Sequence, residues 1–316
     1  MLIESASACH PFWVGVDVGK ESLSVYIAAS DKALTIPNKT SAIKDFLRQY
    51  PAATLALEPT GGYETKIITL AIEAGCTVYR VNARRVRAFM ESLGIYAKTD
   101  AIDAKALADF AVANVARLQP FVLPAPELKK LRQLARRREE LISMRVQETN
   151  RLKAPDNACL QAGIKAVVTC LDSQIEATEQ QIAEITESSE ALHEKIGVLT
   201  AVKGVGQVTA VSLLAAMPEL GRLDGKQAAS LAGLAPFPRD SGKRKGYRRT
   251  RGGRVDVRNA LFMASLSAAR YNKDLKIFYD RLIKNGKRKL QALIAVARKL
   301  LVILNAKLRD AALKPA

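Results

Sequence analysis

Histidine is almost missing from this chain, with only His10 and His193 in 316 residues. Chemistry centred on imidazole therefore has very little to draw on. Cysteine is nearly as scarce. Cys9, Cys76, Cys159 and Cys170 are widely spaced and form no Cys-x-x-Cys pair, which excludes a disulfide framework and a thiolate zinc site. Reduced thiols in a cytoplasmic protein are the expectation. Long apolar runs are also absent, because charge interrupts both "LTAVKGVG" and "LQALIAVARKLLVIL". Neither approaches the roughly 20 residues that span a bilayer, so no membrane is expected. The opening "MLIESASACHPFW" has neither a basic n-region nor a continuous apolar h-region, and no export signal is expected from it.

What is abundant is positive charge, and it is unevenly placed. The chain carries 49 Lys and Arg against 31 Asp and Glu, a formal net charge of +18. Residues 1–120 carry 13 against 12, and residues 121–200 carry 11 against 12. Residues 201–316 carry 25 against 7, so this one segment holds the whole excess. Such asymmetry is the electrostatic footprint of a polyanion partner, in most cases nucleic acid. A membrane surface would call for a basic amphipathic helix with Trp or Phe anchors, and that region has none.

Texture along the chain suggests three parts behind a short N-terminal extension at residues 1–12. Residues 13–122 alternate strands and helices. "FWVGVDV", "SLSVYIAA" and "ALTIPN" read as three strands, followed by a helix over "TSAIKDFLRQY" capped by Thr40 or Ser41. Strand "ATLALEP", helix "GYETKIITLAIEAG", strand "CTVYRVN" and helix "ARRVRAFMESLG" come next. Thr99 then caps a helix over "TDAIDAKALADFAVAN". This order predicts a mixed α/β layer. Residues 123–197 read as a helical arm whose second helix carries Leu171, Ile175, Thr178, Ile182, Ile185, Ser189, Leu192 and Ile196. Their alternating spacings of four and three are those of a coiled-coil seam, either a hairpin or a dimerisation arm.

Residues 198–316 form the basic, mainly helical third. The Gly204-Val205-Gly206 turn between two apolar helical stretches resembles a helix-hairpin-helix, in which Lys203, Gly204 and Gly206 would hold a phosphate. A glycine turn made for packing alone is the competing reading. Arg239, Lys243, Arg244, Lys245, Arg248, Arg249, Arg251, Arg254 and Arg258 follow within twenty residues, together with four glycines. That stretch reads as a flexible basic loop for nucleic acid. Two helices broken at Asn285-Gly286 end the chain.

Four acids stand out in so basic a protein. Asp17 sits inside the apolar strand "VGVDVG", where an unpaired buried carboxylate is costly. Glu58 closes its strand just before "PTGGY", and ligands of open sheets sit at such carboxyl ends. Asp100 and Asp103 share one helix face between Lys98 and Lys105. Each has an ordinary explanation: a turn cap for Asp17, the helix dipole for Asp100, a lysine partner for Asp103. Taken together they suit a hard, oxygen-loving cation such as Mg²⁺ or Mn²⁺ acting on a phosphodiester. "GVDVGKESL" is also similar to the first phosphate loop of the actin, hexokinase and heat-shock ATPases. The second Asp-Gly-Gly loop of that superfamily is absent.

The order "GVDVGK", "LEPTGGY", "KTDAIDAKALA", "TNRLK", "GVGQVTA", "LAGLAPFPRDSGKRKG" and "RGGRVDVRNALFMASLSA" resembles the DEDD transposases of the IS110 group of bacterial insertion sequences and their relative, the Piv invertase. The resemblance covers nearly the whole chain. It implies a RuvC-like (ribonuclease-H-fold) domain, a coiled-coil arm and a C-terminal transposase domain. It also implies that Asp17, Glu58, Asp100 and Asp103 hold the catalytic metals and that Ser241 is the nucleophile. Partners implied are donor and target DNA, a structured guide RNA, and further copies of the chain in a dimer or tetramer. The expected setting is the bacterial cytoplasm, at the nucleoid. Two other functions compete with this one: a RuvC-like junction nuclease that hydrolyses DNA with metal-activated water, and a non-catalytic nucleic-acid binder.

Overall fold

The computed structural model describes residues 12–238, 240–242, 246 and 248–313. The chain divides into two compact units, Met1–Leu123 and Pro124–Ala316. No described helix is long and apolar enough to cross a membrane.

The first unit is a five-stranded mixed sheet with helices on both faces. Its strands are β1 (Trp13–Val18), β2 (Ser22–Ile27), β3 (Lys32–Pro37), β4 (Thr54–Leu57) and β5 (Thr77–Arg80), in spatial order β3-β2-β1-β4-β5. The first three form an antiparallel meander, whereas β4 and β5 join in parallel. Parallel strands need crossovers, supplied here by α1 (Thr40–Gln49) and α2 (Thr65–Glu73). Helices α3 (Ala83–Ser92) and α4 (Asp100–Asn114) follow. This is the ribonuclease-H-like topology.

Strand alternation sorts the core. Val14, Val16 and Val18, with Leu23, Val25, Ile27, Leu55 and Leu57, face Ile43, Phe46 and Leu47 of α1 and Ile67, Ile68 and Ala71 of α2. The other face is narrower: Trp13 clusters with Ala56 and Ala111, and Tyr26 with Ala104 and Ala108. Helix α4 therefore covers the odd-numbered side of β1. Thr99 caps it as expected, accepting the Ile102 N–H at 3.3 Å. At α1 the expected cap is displaced: Lys39 holds the cap position with no side-chain bond, and Thr40 begins the helix.

Among the described residues the second unit is helical except for one two-stranded ribbon. Its helices are α5 (Pro126–Leu152), α6 (Gln161–Ser188), α7 (Glu190–Thr200), α8 (Gln207–Ala216) and α9 (Gly225–Leu231). The ribbon pairs β6 (Pro236–Phe237) with β7 (Arg249–Thr250), after which come α10 (Val255–Tyr271), α11 (Lys273–Lys284) and α12 (Lys289–Ala312). Helices α5 and α6 form a hairpin tied by Arg138–Glu179 at 2.6 Å and Arg145–Asp172 at 2.8 Å. The single long second helix read from the seam is in fact two. Ser189 leaves the helical region (φ −112°, ψ 102°), and its carbonyl accepts the Leu192 and His193 N–H groups that start α7. A heptad count measures spacing and cannot see a serine that prefers to begin a new helix. Leu192 and Ile196 consequently join the core of the basic third, with Leu199, Leu213, Leu261, Leu300 and Leu304.

Candidate active site

Sheet register brings the first two acids side by side. Val16 pairs with Leu57 across the parallel β1–β4 ladder, so Asp17 and Glu58 are the next neighbours at the carboxyl ends of both strands. Alternation turns both toward the face that α4 covers. Along that face Trp13 meets Ala111, while Gly15 meets Ala104 and Ala108. Helix α4 thus runs antiparallel to β1, and its first turn, with Asp100 and Asp103, lies toward Asp17. Asp17, Glu58 and Asp103 are half-buried and Asp100 is exposed.

The carboxylates act on one another. Burial raises the Asp17 pKa above its ordinary value, and the charges of Asp103 and Asp100 raise it further. Burial likewise raises Glu58, followed by Asp17 and Asp103, and Lys98 pulls weakly against the shift in both. Lys105 does not neutralise Asp103. Its ammonium pairs with Asp31 at 3.0 Å and lies 5.0 Å over the Tyr26 ring, whose hydroxyl also donates to Asp31. Among the described residues no three acidic, histidine or cysteine side chains stand close enough to form a finished metal cage. The donor set still fits a divalent cation, since it is all oxygen, acidic and mutually repulsive.

The close approach of α4 rests on Gly15. A methyl group there would sit 1.9 Å from the Ala104 carbonyl oxygen and 2.8 Å from the Ala108 nitrogen, both rigid backbone. Gly15→Ala should cost about 3 kcal/mol or more, the upper end of overpacking penalties, and should separate Asp103 from Asp17. The control is Gly206→Ala, where a methyl meets nothing within 4 Å. Urea unfolding of both variants checks this, and equal stability would refute the packing argument.

Glu64, which the sequence reading passed over, organises the loop after Glu58. It is buried, accepts the Thr60 and Gly62 N–H groups at 3.1 and 2.8 Å, and pairs with Arg80 at 3.3 Å. Arg80 in turn lies over the Phe121 ring. A Glu six residues after a strand-end acid, behind two glycines, was the available signal.

In the second unit Ser241 is exposed in the loop joining β6 to β7. Its neighbour Asp240 shapes that loop, accepting the Gly246 N–H at 3.0 Å and pairing with Arg248 at 3.5 Å. Arg239, Lys243, Arg244 and Lys245 fall outside the described residues. Arg251 is exposed, and so is Arg249 on β7. Arg258 is half-buried and donates to the Gly252 carbonyl at 2.8 Å. Arg254 serves the fold, forming a double ion pair with Glu219 at 2.7 Å and donating to the Ala216 carbonyl at 2.8 Å. Those bonds occupy the guanidinium that the loop reading assigned to nucleic acid, and although partial burial raises the Glu219 pKa, the Arg254 hydrogen bonds and charge bring it below the ordinary value. Lys203 is exposed on the turn between α7 and α8. Gly204, at φ +102°, lies where a methyl would come within 2.6 Å of the Ala268 backbone, so packing alone demands glycine there. Gly206 begins α8 in open space.

The DEDD transposase model of the IS110 type matches residues 14–155, and a model described as "Transposase IS116/IS110/IS902 family" matches residues 197–280. A "Pilin gene-inverting protein" of Moraxella bovis is 29% identical over 317 residues, covering 94% of this chain and 96% of that protein. The "Insertion element IS116 uncharacterized 44.8 kDa protein" of Streptomyces clavuligerus is 25% identical, covering 94% of each. Among solved structures, "T. thermophilus RuvC in complex with Holliday junction substrate" overlays 35% of this chain and all of that chain, at TM-score 0.27 and 17% identity. That overlay carries no weight beside the strand order itself. With one family matched through the first unit and α5 and again from residue 197 to residue 280, the chain belongs to the DEDD transposases of the IS110, IS116 and IS902 insertion sequences, which are enzymes of DNA strand exchange.

Proposed function

We propose that this transposase cuts and rejoins the ends of an insertion element, with Asp17, Glu58, Asp100 and Asp103 holding Mg²⁺ or Mn²⁺ and Ser241 forming the covalent link to DNA. The observation that carries the reading is the register that sets Asp17 beside Glu58, under the helix start bearing Asp100 and Asp103. When bound, the cations supply Lewis-acid stabilisation of a phosphodiester gathering negative charge. The chain's own acids hold the charges that the cations require, while burial and α4 limit water on one side. Ser241 Oγ bonds to phosphorus and gives its proton to solvent, while the bond from phosphorus to one DNA oxygen breaks and that oxygen takes up a proton to leave as a DNA hydroxyl. The resulting serine phosphodiester keeps the bond energy until a DNA hydroxyl reverses the step. Acids and serine act on one phosphodiester, contributed by one chain or by two copies in a dimer or tetramer.

The chemistry of inversion favours rejoining over hydrolysis. A protein named for gene inversion must reseal what it cuts, and the Moraxella bovis relative aligns along 96% of its length. A RuvC-like junction nuclease would use the same acids with water and leave ends unjoined. Net charge of +18, concentrated in residues 201–316, supplies the grip on donor and target DNA and on a structured guide RNA. Purified protein with Mg²⁺, any RNA that copurifies and a plasmid carrying the element's ends should yield joined recombinant products. Nicked or linear DNA alone would favour the hydrolytic reading.

A further inference from the structure

The loops that leave the acid-bearing strands do more than turn the chain. With the start of α1 and one side of α2 they border an open cavity of ≈ 480 Å³, within the size range that accepts a small ligand, lined by Lys20, Asn38, Tyr63, Thr65, Lys66 and Glu73 among others. Lys20 lies three residues beyond Asp17, and Tyr63 five beyond Glu58. The cavity therefore begins at the same carboxyl edge as the acids but runs along α2 on the face that α1 and α2 cover, whereas the acids turn to the face that α4 covers. Among the described residues neither lysine is ion-paired. Lys66 is held in place by donating to the Asn38 carbonyl at 2.7 Å, which leaves its charge uncompensated. Glu73, the acid in the lining, stands at the far end of α2, about 12 Å along the helix from Thr65.

Tyr63 presents its ring while its backbone is fixed. Its N–H donates to the Thr60 carbonyl at 3.1 Å, and its own carbonyl accepts Asn38 Nδ2 at 3.4 Å. The same Nδ2 donates to the Gly19 carbonyl at 3.0 Å, so Asn38 staples the loop after β1 to the loop after β4. Tyr63 itself remains 46% exposed, which the core does not require. An aromatic face beside two uncompensated cations and a threonine hydroxyl is the chemistry that binds one nucleotide of a single strand.

We infer that this cavity is a nucleotide subsite for the strand being cut, with the base stacked on Tyr63 and the adjoining phosphates held by Lys20 and Lys66. The inference rests on the reading of Asp17 and Glu58 as the cleavage centre, and it assigns a place to a nucleotide of the same strand, across the sheet edge from the scissile bond. Full-length protein would be irradiated with a single-stranded oligodeoxynucleotide carrying 5-iodouracil, and the crosslinked peptide identified by mass spectrometry. An adduct at Tyr63 is expected, kept in Tyr63→Phe and lost in Tyr63→Ala. Tyr63→Ala and Lys66→Gln should each raise the KM for strand cleavage, Tyr63→Ala by about tenfold. Lys20→Gln, on an exposed turn, serves if Lys66→Gln fails to fold. Adducts only in residues 201–316, with KM unchanged in Tyr63→Ala and Lys20→Gln, would overturn the subsite. Crosslinking needs no catalysis, so full activity of Asp17→Asn would sink the cleavage centre alone.

Discussion

Asp17→Asn and Asp103→Asn should each abolish strand exchange, lowering its rate by about a thousandfold or more, the scale of losing a principal charge-stabilising group. Nucleic-acid affinity should hardly change, because the excess positive charge lies in residues 201–316. Titration calorimetry with Mn²⁺ should show binding in the parent protein and none in either variant. The stability effect should run the other way. Burial and like charges raise the pKa of Asp17 in the folded chain, so folding disfavours its ionised form. A raised folded pKa means a contribution that is fully present below the unfolded value and lost as pH rises through the folded one. At neutral pH and without metal, Asp17→Asn should therefore melt at a higher temperature than the parent. The parent in turn should gain stability on mild acidification, and Glu58 should add to that gain. Metal binding should weaken over the same acidic range, since the cation needs both carboxylates ionised. An Asp17→Asn protein that recombines normally, or melts lower while still binding Mn²⁺, would remove these acids from the site.

Ser241→Ala should eliminate a covalent protein–DNA adduct on a denaturing gel and reduce joined products to background, while the acids still bind Mn²⁺. Asp240 is the informative neighbour. Its bonds to Gly246 and Arg248 shape the loop, so Asp240→Ala should lower adduct yield without abolishing it. Mixing Asp17→Asn with Ser241→Ala decides how the halves combine. Recovered activity means that acids and serine act from different copies of the chain, and no recovery means that one chain supplies both. An adduct mapped to another residue, or undiminished joining in Ser241→Ala, would return the hydrolytic nuclease to first place.

Much of the architecture was legible in short windows. Alternating apolar residues mark β1, β2 and β4, Thr99 marks the start of α4, and Asn285-Gly286 marks the break between α11 and α12. These signals are local, because a strand's period, a cap or a glycine break is encoded by residues a few positions apart. Windows misled where two local choices compete. The heptad spacing through Leu171–Ile196 hid the break at Ser189, and the run of arginines through Arg254 hid a residue that belongs to the fold.

What the sequence by itself determined was the family, the mixed α/β order, the basic third and the acid candidates, all of which depend on residue type and spacing. Tertiary structure alone decided which groups face one another. Asp17 and Glu58 are forty-one positions apart and become neighbours only through parallel register, Lys105 turns from Asp103 to Asp31, and Gly15 matters because a helix nearly ninety residues later rests on it. Pairing of that kind is set by long-range packing and strand register, which no window of neighbouring residues contains.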